Sequence, residues 1–158
     1  MHLLEWIGYA LIALCALFAG ALCADYEKKR NRQAQGFLAL VRHFRAQIEH
    51  YGTPVAQILA SLDEQLLLDC GLCERPLSLD ALLGGCELCI PLALTEELEG
   101  FFGELGSNYR EEQLRCCDYY LGRIAPLCAE IGREMPKRVR LAWLLPPSLA
   151  AALALMLI

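Results

Sequence analysis

Apolar residues dominate both ends of the chain, and the segment between them alternates apolar and polar positions with a helical period. From Leu3 to Ala24 the only charged residue is Glu5, and no proline interrupts the run. At about 1.5 Å per residue, a helix of that length crosses a hydrocarbon core of about 30 Å. From Leu141 to Ile158 there is no charge at all, and Trp143 stands where an aromatic ring meets lipid headgroups. This second span is short. Its Pro146-Pro147 pair lacks backbone N–H donors, so a kink is expected there.

Between the ends, Phe37, Val41, Phe44, Ile48 and Tyr51 recur at alternating steps of four and three. That spacing predicts a helix continuing the first span. Gly52 ends it, Thr53 is placed to cap the next helix, and Pro54 fits that helix's first turn. The next helix is expected from Pro54 to about Leu68, burying Val55, Ile58, Leu59, Leu62 and Leu66. Signals are weaker over 69–94, where Ser78 caps a short helix ending at Gly84-Gly85 and Pro91 closes the stretch. Thr95 then reads as a cap, with Glu96 and Glu97 complementing the helix dipole and Leu98, Phe101, Phe102 and Leu105 facing inward. Leu114, Cys117, Leu121, Ile124, Cys128, Ile131 and Met135 define the last helix of this segment. Pro126 predicts an interruption in it, its ring pressing on the carbonyl of Gly122. The expected fold class is all-α: an antiparallel helical bundle over 25–140, between terminal transmembrane helices over 1–24 and 141–158.

Composition supports an anchored domain. The 158 residues are 56% hydrophobic and 21% charged, and the apolar surplus lies at the two ends. Lys28, Lys29, Arg30 and Arg32 follow the first span, and Lys137, Arg138 and Arg140 precede the second. The positive-inside rule therefore places both termini outside and residues 25–140 in the cytoplasm. A cleaved signal peptide is the rival reading of the first segment, but it would need a basic start, and Met-His-Leu-Leu-Glu precedes this apolar run. Between Asp63 and Glu112 acidic residues far outnumber the basic Arg75 and Arg110. Such a surface is either a solvated face above a basic, lipid-facing collar or a dock for a basic partner, and it repels nucleic acid.

The chain has nine cysteines, an odd count that sits poorly with a complete disulfide framework. Cys70-x-x-Cys73 is followed, after twelve residues, by Cys86-x-x-Cys89, and four such thiolates could hold a tetrahedral zinc ion. The spacer is short for a zinc ribbon, and plain packing of small residues is the competing reading. A thiol-redox pair would want a strand before Cys70, where Glu64–Leu68 reads as helix. No catalytic, cofactor or metal residue is therefore assigned. His43 and His50 carry no ligand partners at suitable spacing and read as surface residues. No nucleophile elbow, phosphate loop or zinc-protease helix is present, so the chain is expected not to be an enzyme.

The layout and several local motifs resemble the stage III sporulation protein AB family of endospore-forming bacteria. The segment Ile48-Glu49-His50-Tyr51-Gly52-Thr53-Pro54 is similar to that family's helix-ending Tyr-Gly-x-Thr-Pro. Leu94-Thr95-Glu96-Glu97 leading to Leu105-Gly106, with Gln113 shortly after, matches in order and spacing. The cysteine-rich middle, Asp69 to Leu94, departs from the pattern, as do Gly52, which no spacer residue follows before Thr53, and the proline pair of the second span. The resemblance implies a subunit of the mother cell–forespore channel complex, in the mother cell membrane facing the forespore. It also implies a cytoplasmic part similar to the platform protein F of type II secretion and type IV pilus machines. Its partners would be the stage III ATPase (the AA protein), other channel-complex proteins and the lipid bilayer, with homo-oligomerisation left open. The alternative is a membrane-tethered zinc or thiol-redox module using Cys70, Cys73, Cys86 and Cys89.

Overall fold

The computed structural model describes the backbone of residues 2–106 and 109–156, and the side chains of residues 7, 8, 10–106 and 109–152. The described residues form helices and no strand: α1 (His2–Tyr51), α2 (Val55–Ala60), α3 (Glu64–Cys70), α4 (Leu79–Gly84), α5 (Leu92–Glu104) and α6 (Arg110–Met156). The chain divides into two compact units, one of residues up to Lys29 with those from Arg133 onward, the other of Arg30–Gly132.

The first unit pairs the start of α1 with the end of α6. A Cβ on Gly20 would lie 2.8 Å from the carbonyl oxygen of Ala142, so glycine is what lets the two backbones approach. Glu27 and Arg138 face each other at 3.9 Å, which fixes the pair as antiparallel. Leu11, Leu14, Phe18, Leu22, Leu144, Leu145 and Leu149 are each more than half exposed. A continuous apolar surface of that kind is unfavourable in water and calls for another medium or partner around it. Among the described residues α1 alone is long and apolar enough to cross a membrane, a test that an N-terminal signal sequence also passes. The second expected span, 141–158, reaches outside the described residues.

The second unit is built on the rest of α1 and α6, again antiparallel. Cys128 Sγ donates to the carbonyl of Ala34 at 3.3 Å, Gln35 Nε2 donates to the carbonyl of Cys128 at 3.3 Å, and Arg45 meets Asp118 at 2.6 Å. At the end of α1, Arg110 donates to the carbonyls of Ile48 and Glu49, and the Ile48 carbonyl also accepts from the amide of Gly52 at 3.2 Å. The stripes expected from the sequence form the core: Phe37, Val41, Phe44 and Ile48 from α1, and Cys117, Ile124 and Cys128 from α6, are buried. Phe101 and Phe102 of α5 complete it, edge-on to Phe44 at 6.4 Å, and Tyr120 stacks edge-on to Phe101 at 5.8 Å. Each buried side chain of this kind contributes about 1.5–3 kcal/mol.

Several local expectations are corrected. Tyr51 ends the α1 stripe but is 77% exposed, because the chain turns away at Gly52 (φ +59°). Pro54, not Thr53, occupies the capping position of α2. The single helix expected from Pro54 to Leu68 is two helices with a break at Ser61–Asp63. The carbonyls of Ala60 and Leu62, which a continuous helix would offer to later amides, instead accept from Arg75 at 2.9 and 3.2 Å. Ser61 Oγ also donates to the Ile58 carbonyl at 3.1 Å, a local bond that competes with helix continuation. Thr95 does not cap α5: its hydroxyl donates back to the carbonyl of Pro91, the residue at which the helix starts, so Glu96 and Glu97 lie beyond the first turn. Pro126 does not interrupt α6; it is exposed, while Ile124 and Cys128 on either side are held in the core. At Pro146-Pro147, where a kink and not a break is expected, the helix continues. Ser78 does cap α4, accepting from the amide of Ala81 at 3.3 Å, and Gly85 follows the helix as expected.

Candidate functional site

The four paired cysteines lie in the part of the second unit where the sequence signals were weakest. Cys70 ends α3, and Gly71 turns the chain in the left-handed region (φ +88°). Cys86 and Cys89 follow α4. The stretch is held to α1 by Gln33, a buried residue with 2% exposure. Gln33 Nε2 donates to the carbonyls of Cys70 (2.9 Å) and Glu87 (3.1 Å), and its Oε1 accepts from the amide of Cys89 at 2.7 Å. One amide side chain thus satisfies three backbone groups from two separate segments. The sequence reading missed Gln33, although a signal was there: it stands four residues before Phe37, on the same stripe as Leu40 and Phe44, a neutral polar residue at a core position.

The chemistry of these cysteines is that of thiols. Burial pushes the Cys70 thiol up to about 12, helped by the neighbouring Cys86 and Asp69. Burial also raises Cys86, with Cys89 adding to it. Cys86 Sγ donates to the carbonyls of Leu82 and Leu83 at 3.6 and 3.7 Å, and Cys89 Sγ to that of Glu87 at 3.8 Å. The thiolate is the nucleophile and the metal ligand, and this environment disfavours it. Cys73, the fourth residue of the pattern, is exposed while Cys70 and Cys89 are buried. Among the described residues no three of His, Cys, Asp or Glu come together as a metal-ligand set. His50 is exposed as expected, but His43 is half-buried, with Nε2 enclosed and unpartnered.

The acidic residues of the second unit divide into two sets. Glu97 is largely buried against Arg123 at 2.5 Å, and Asp69 pairs with Arg32 at 2.7 Å. Arg45 bridges Asp118 and Glu49, and these two carboxylates hold its guanidinium above its ordinary value. Glu104 accepts from Tyr120 Oη at 3.0 Å, and burial together with that carboxylate pushes the phenol up to about 12. In contrast, no charged or hydrogen-bonding partner among the described residues reaches Asp80, Glu96 or Glu99. All three are exposed, on α4 and α5, and the exposed Asp63, Glu64, Glu74, Glu111, Glu112 and Glu130 likewise have no such partner among the described residues.

No protein-family model, curated protein or solved structure matches the chain. The site therefore rests on its own geometry: a helical unit whose thiols and most buried polar groups serve the fold, and whose exposed carboxylates without a partner among the described residues include Asp80, Glu96 and Glu99 on α4 and α5. Charge balance in the sequence pointed to acidic character; Glu97, expected to complement the helix dipole, is instead paired with Arg123.

Proposed function

We propose that this chain is a non-catalytic, membrane-anchored platform: the assembly subunit of the mother cell–forespore channel complex of endospore formation, coupling a cytoplasmic ATPase to the channel. The observation that carries the reading is the continuity of α1 and α6. Each is one helix that contributes an apolar segment to the first unit and a core stripe to the second. Load on the bundle would pass into the anchor through unbroken helices, as a platform requires. The exposed leucines of the first unit support a bilayer around it, and the basic clusters at 28–32 and 137–140 support a cytoplasmic bundle with both termini outside. The resemblance of the Tyr51-Gly52-Thr53-Pro54 and Leu94–Gly106 segments to the sporulation family supports the choice of complex.

The alternative is a membrane-tethered zinc or thiol-redox module; its redox branch needs accessible thiolates, and the surroundings of Cys70 and Cys86 favour the protonated form. The platform reading is tested by tagging the chain in sporulating cells and purifying it from solubilised membranes. The ATPase and channel subunits should co-purify, and deletion of the gene should block sporulation after engulfment. Normal sporulation in a clean deletion refutes the reading.

A further inference from the structure

Between α4 and α5 lies a groove of about 340 Å³ whose walls are Leu79, Leu83, Leu88 and Phe102, with Asp80 on one lip and Glu99 on the other. Along α5, Leu92, Glu96, Glu99 and Gly103 follow one another at steps of four, three and four, so they share one face of that helix. Leu92 is 74% exposed on it. Leu94, Leu98 and Phe101 on the opposite face supply the core, and the buried Phe102 lies between the two faces and lines the groove. The groove is thus an apolar slot bounded by carboxylates that have no cation of their own among the described residues.

Gly103 adds an independent observation. It is helical and does not adopt a positive φ, so its backbone does not require glycine. A Cβ there would meet nothing within 4 Å, so the packing of this chain does not require glycine either. In a helix, glycine is less favourable than alanine. Gly100 in the same helix is different, because a Cβ there would stand 2.7 Å from Tyr120 Oη. Gly103 costs stability without serving an internal contact, as Gly122 of α6 also does, and at position 103 it leaves bare backbone in the lining of the slot. Gly84, across the groove at the end of α4, is equally open.

We infer that this groove docks a helix of a partner protein whose apolar stripe is flanked by Lys or Arg. The stripe fills the slot over Phe102 and Gly103, and the cations pair with Asp80 and Glu99 on the two lips, with Glu96 extending the acidic edge. Opposite charge on the partner follows from the unpaired carboxylates, and helical form from a slot bounded by two helices, α4 and α5. The inference deepens the platform reading, in which the ATPase would be the source of that helix.

The test uses the full-length chain in nanodiscs of zwitterionic lipid. The probe is a labelled helical peptide with two leucines one turn apart flanked by lysines, compared with the same peptide flanked by glutamates. The lysine peptide should bind with salt-sensitive affinity, and the glutamate peptide at least about tenfold more weakly. Gly103→Trp should fill the slot, and Asp80→Lys with Glu99→Lys should reverse its lips, each weakening the lysine peptide by about tenfold or more. Glu64→Lys, an exposed charge reversal outside the groove, should leave binding unchanged. Should Gly103→Trp fail to fold, the lip reversals decide alone. Equal binding by the groove variants and the unaltered chain overturns the assignment, as does an equal loss in Glu64→Lys. A result in which Gly103→Trp abolishes self-association and leaves peptide binding intact overturns it in favour of a second copy of this chain. Co-purification of the ATPase is scored separately, so failure of the platform reading and failure of the groove give different results.

Discussion

Gly36 of α1 lies against the carboxyl-terminal end of α3 so closely that a Cβ on it would stand 2.7 Å from the carbonyl carbon of Asp69. The Asp69 oxygen and the Cys70 nitrogen would each be 2.9 Å away. These are backbone atoms, which cannot swing aside as the end of a side chain could. Helix propensity alone says that alanine at position 36 stabilises α1 by about 1 kcal/mol. Overpacking against the α3 backbone opposes that gain and outweighs it. Gly36→Ala should therefore destabilise the protein by about 1–3 kcal/mol, seen as a lower urea midpoint with an unchanged slope. A neutral or stabilising effect would place α3 elsewhere on α1.

The same contact brings the cysteine-rich stretch within reach of Gln33, and its removal should be felt there first. Gln33→Leu keeps the volume roughly constant but leaves the amide of Cys89 and the carbonyls of Cys70 and Glu87 without their partner. Unsatisfied buried groups of this kind should cost about 2–4 kcal/mol in all. Amide hydrogen exchange should show the loss locally, with faster exchange at Cys89 than in the Phe44–Phe101 core. Uniform acceleration across the second unit would contradict a local clamp.

Stability should also fall at alkaline pH. Burial holds Cys70 and Cys117 up to about 12 and Cys128 up to about 11, against an ordinary value of 9.0. Between these limits the folded chain keeps protons that the unfolded chain has released, so stability decreases as pH rises. The contribution is fully present below about pH 9 and is progressively lost from there towards about pH 12. Denaturant midpoints measured from about pH 8 to about pH 11 should drop, and Cys117→Ala should flatten the curve. An unchanged slope in that variant would show that the thiols are not responsible.

The long helices were legible because their information is local. Phe37, Val41, Phe44 and Ile48 announce a buried stripe by spacing alone, as do Cys117, Ile124 and Cys128, and every one of them is buried. Ser78 as a cap of α4 was legible for the same reason. The break between α2 and α3 was not, because it depends on Arg75 reaching back across 13 and 15 residues to two carbonyls, and no sequence window contains that contact with its geometry. Glu97 is similar: spacing from Thr95 suggests a first-turn carboxylate complementing the helix dipole, while the helix starts at Pro91 and Arg123 from α6 takes Glu97 as its partner. For the candidate groove, the sequence shows acidic character and the α5 stripe. That Asp80 joins Glu99 across an apolar slot depends on the packing of α4 against α5, which the sequence of residues 69–94 did not indicate.

Cysteine accessibility tests the anchor and the thiol reading in one experiment. A charged, membrane-impermeant maleimide applied to the full chain in nanodiscs should label Cys73, which is exposed in the second unit. Cys70, Cys89, Cys117 and Cys128 are buried and should react only after unfolding. Cys15 and Cys23 are exposed on α1 within its apolar segment, so they should be protected by lipid and become reactive when the nanodisc is dissolved in denaturing detergent. Rapid labelling of Cys15 in the intact nanodisc would show that this part of α1 lies in water, and the anchor would fall with it. Zinc added before the reagent should leave the labelling of Cys73 unchanged. Protection of Cys73 by stoichiometric zinc would instead establish the paired cysteines as a metal site, formed by a rearrangement that brings Cys73 in from solvent to Cys70, Cys86 and Cys89.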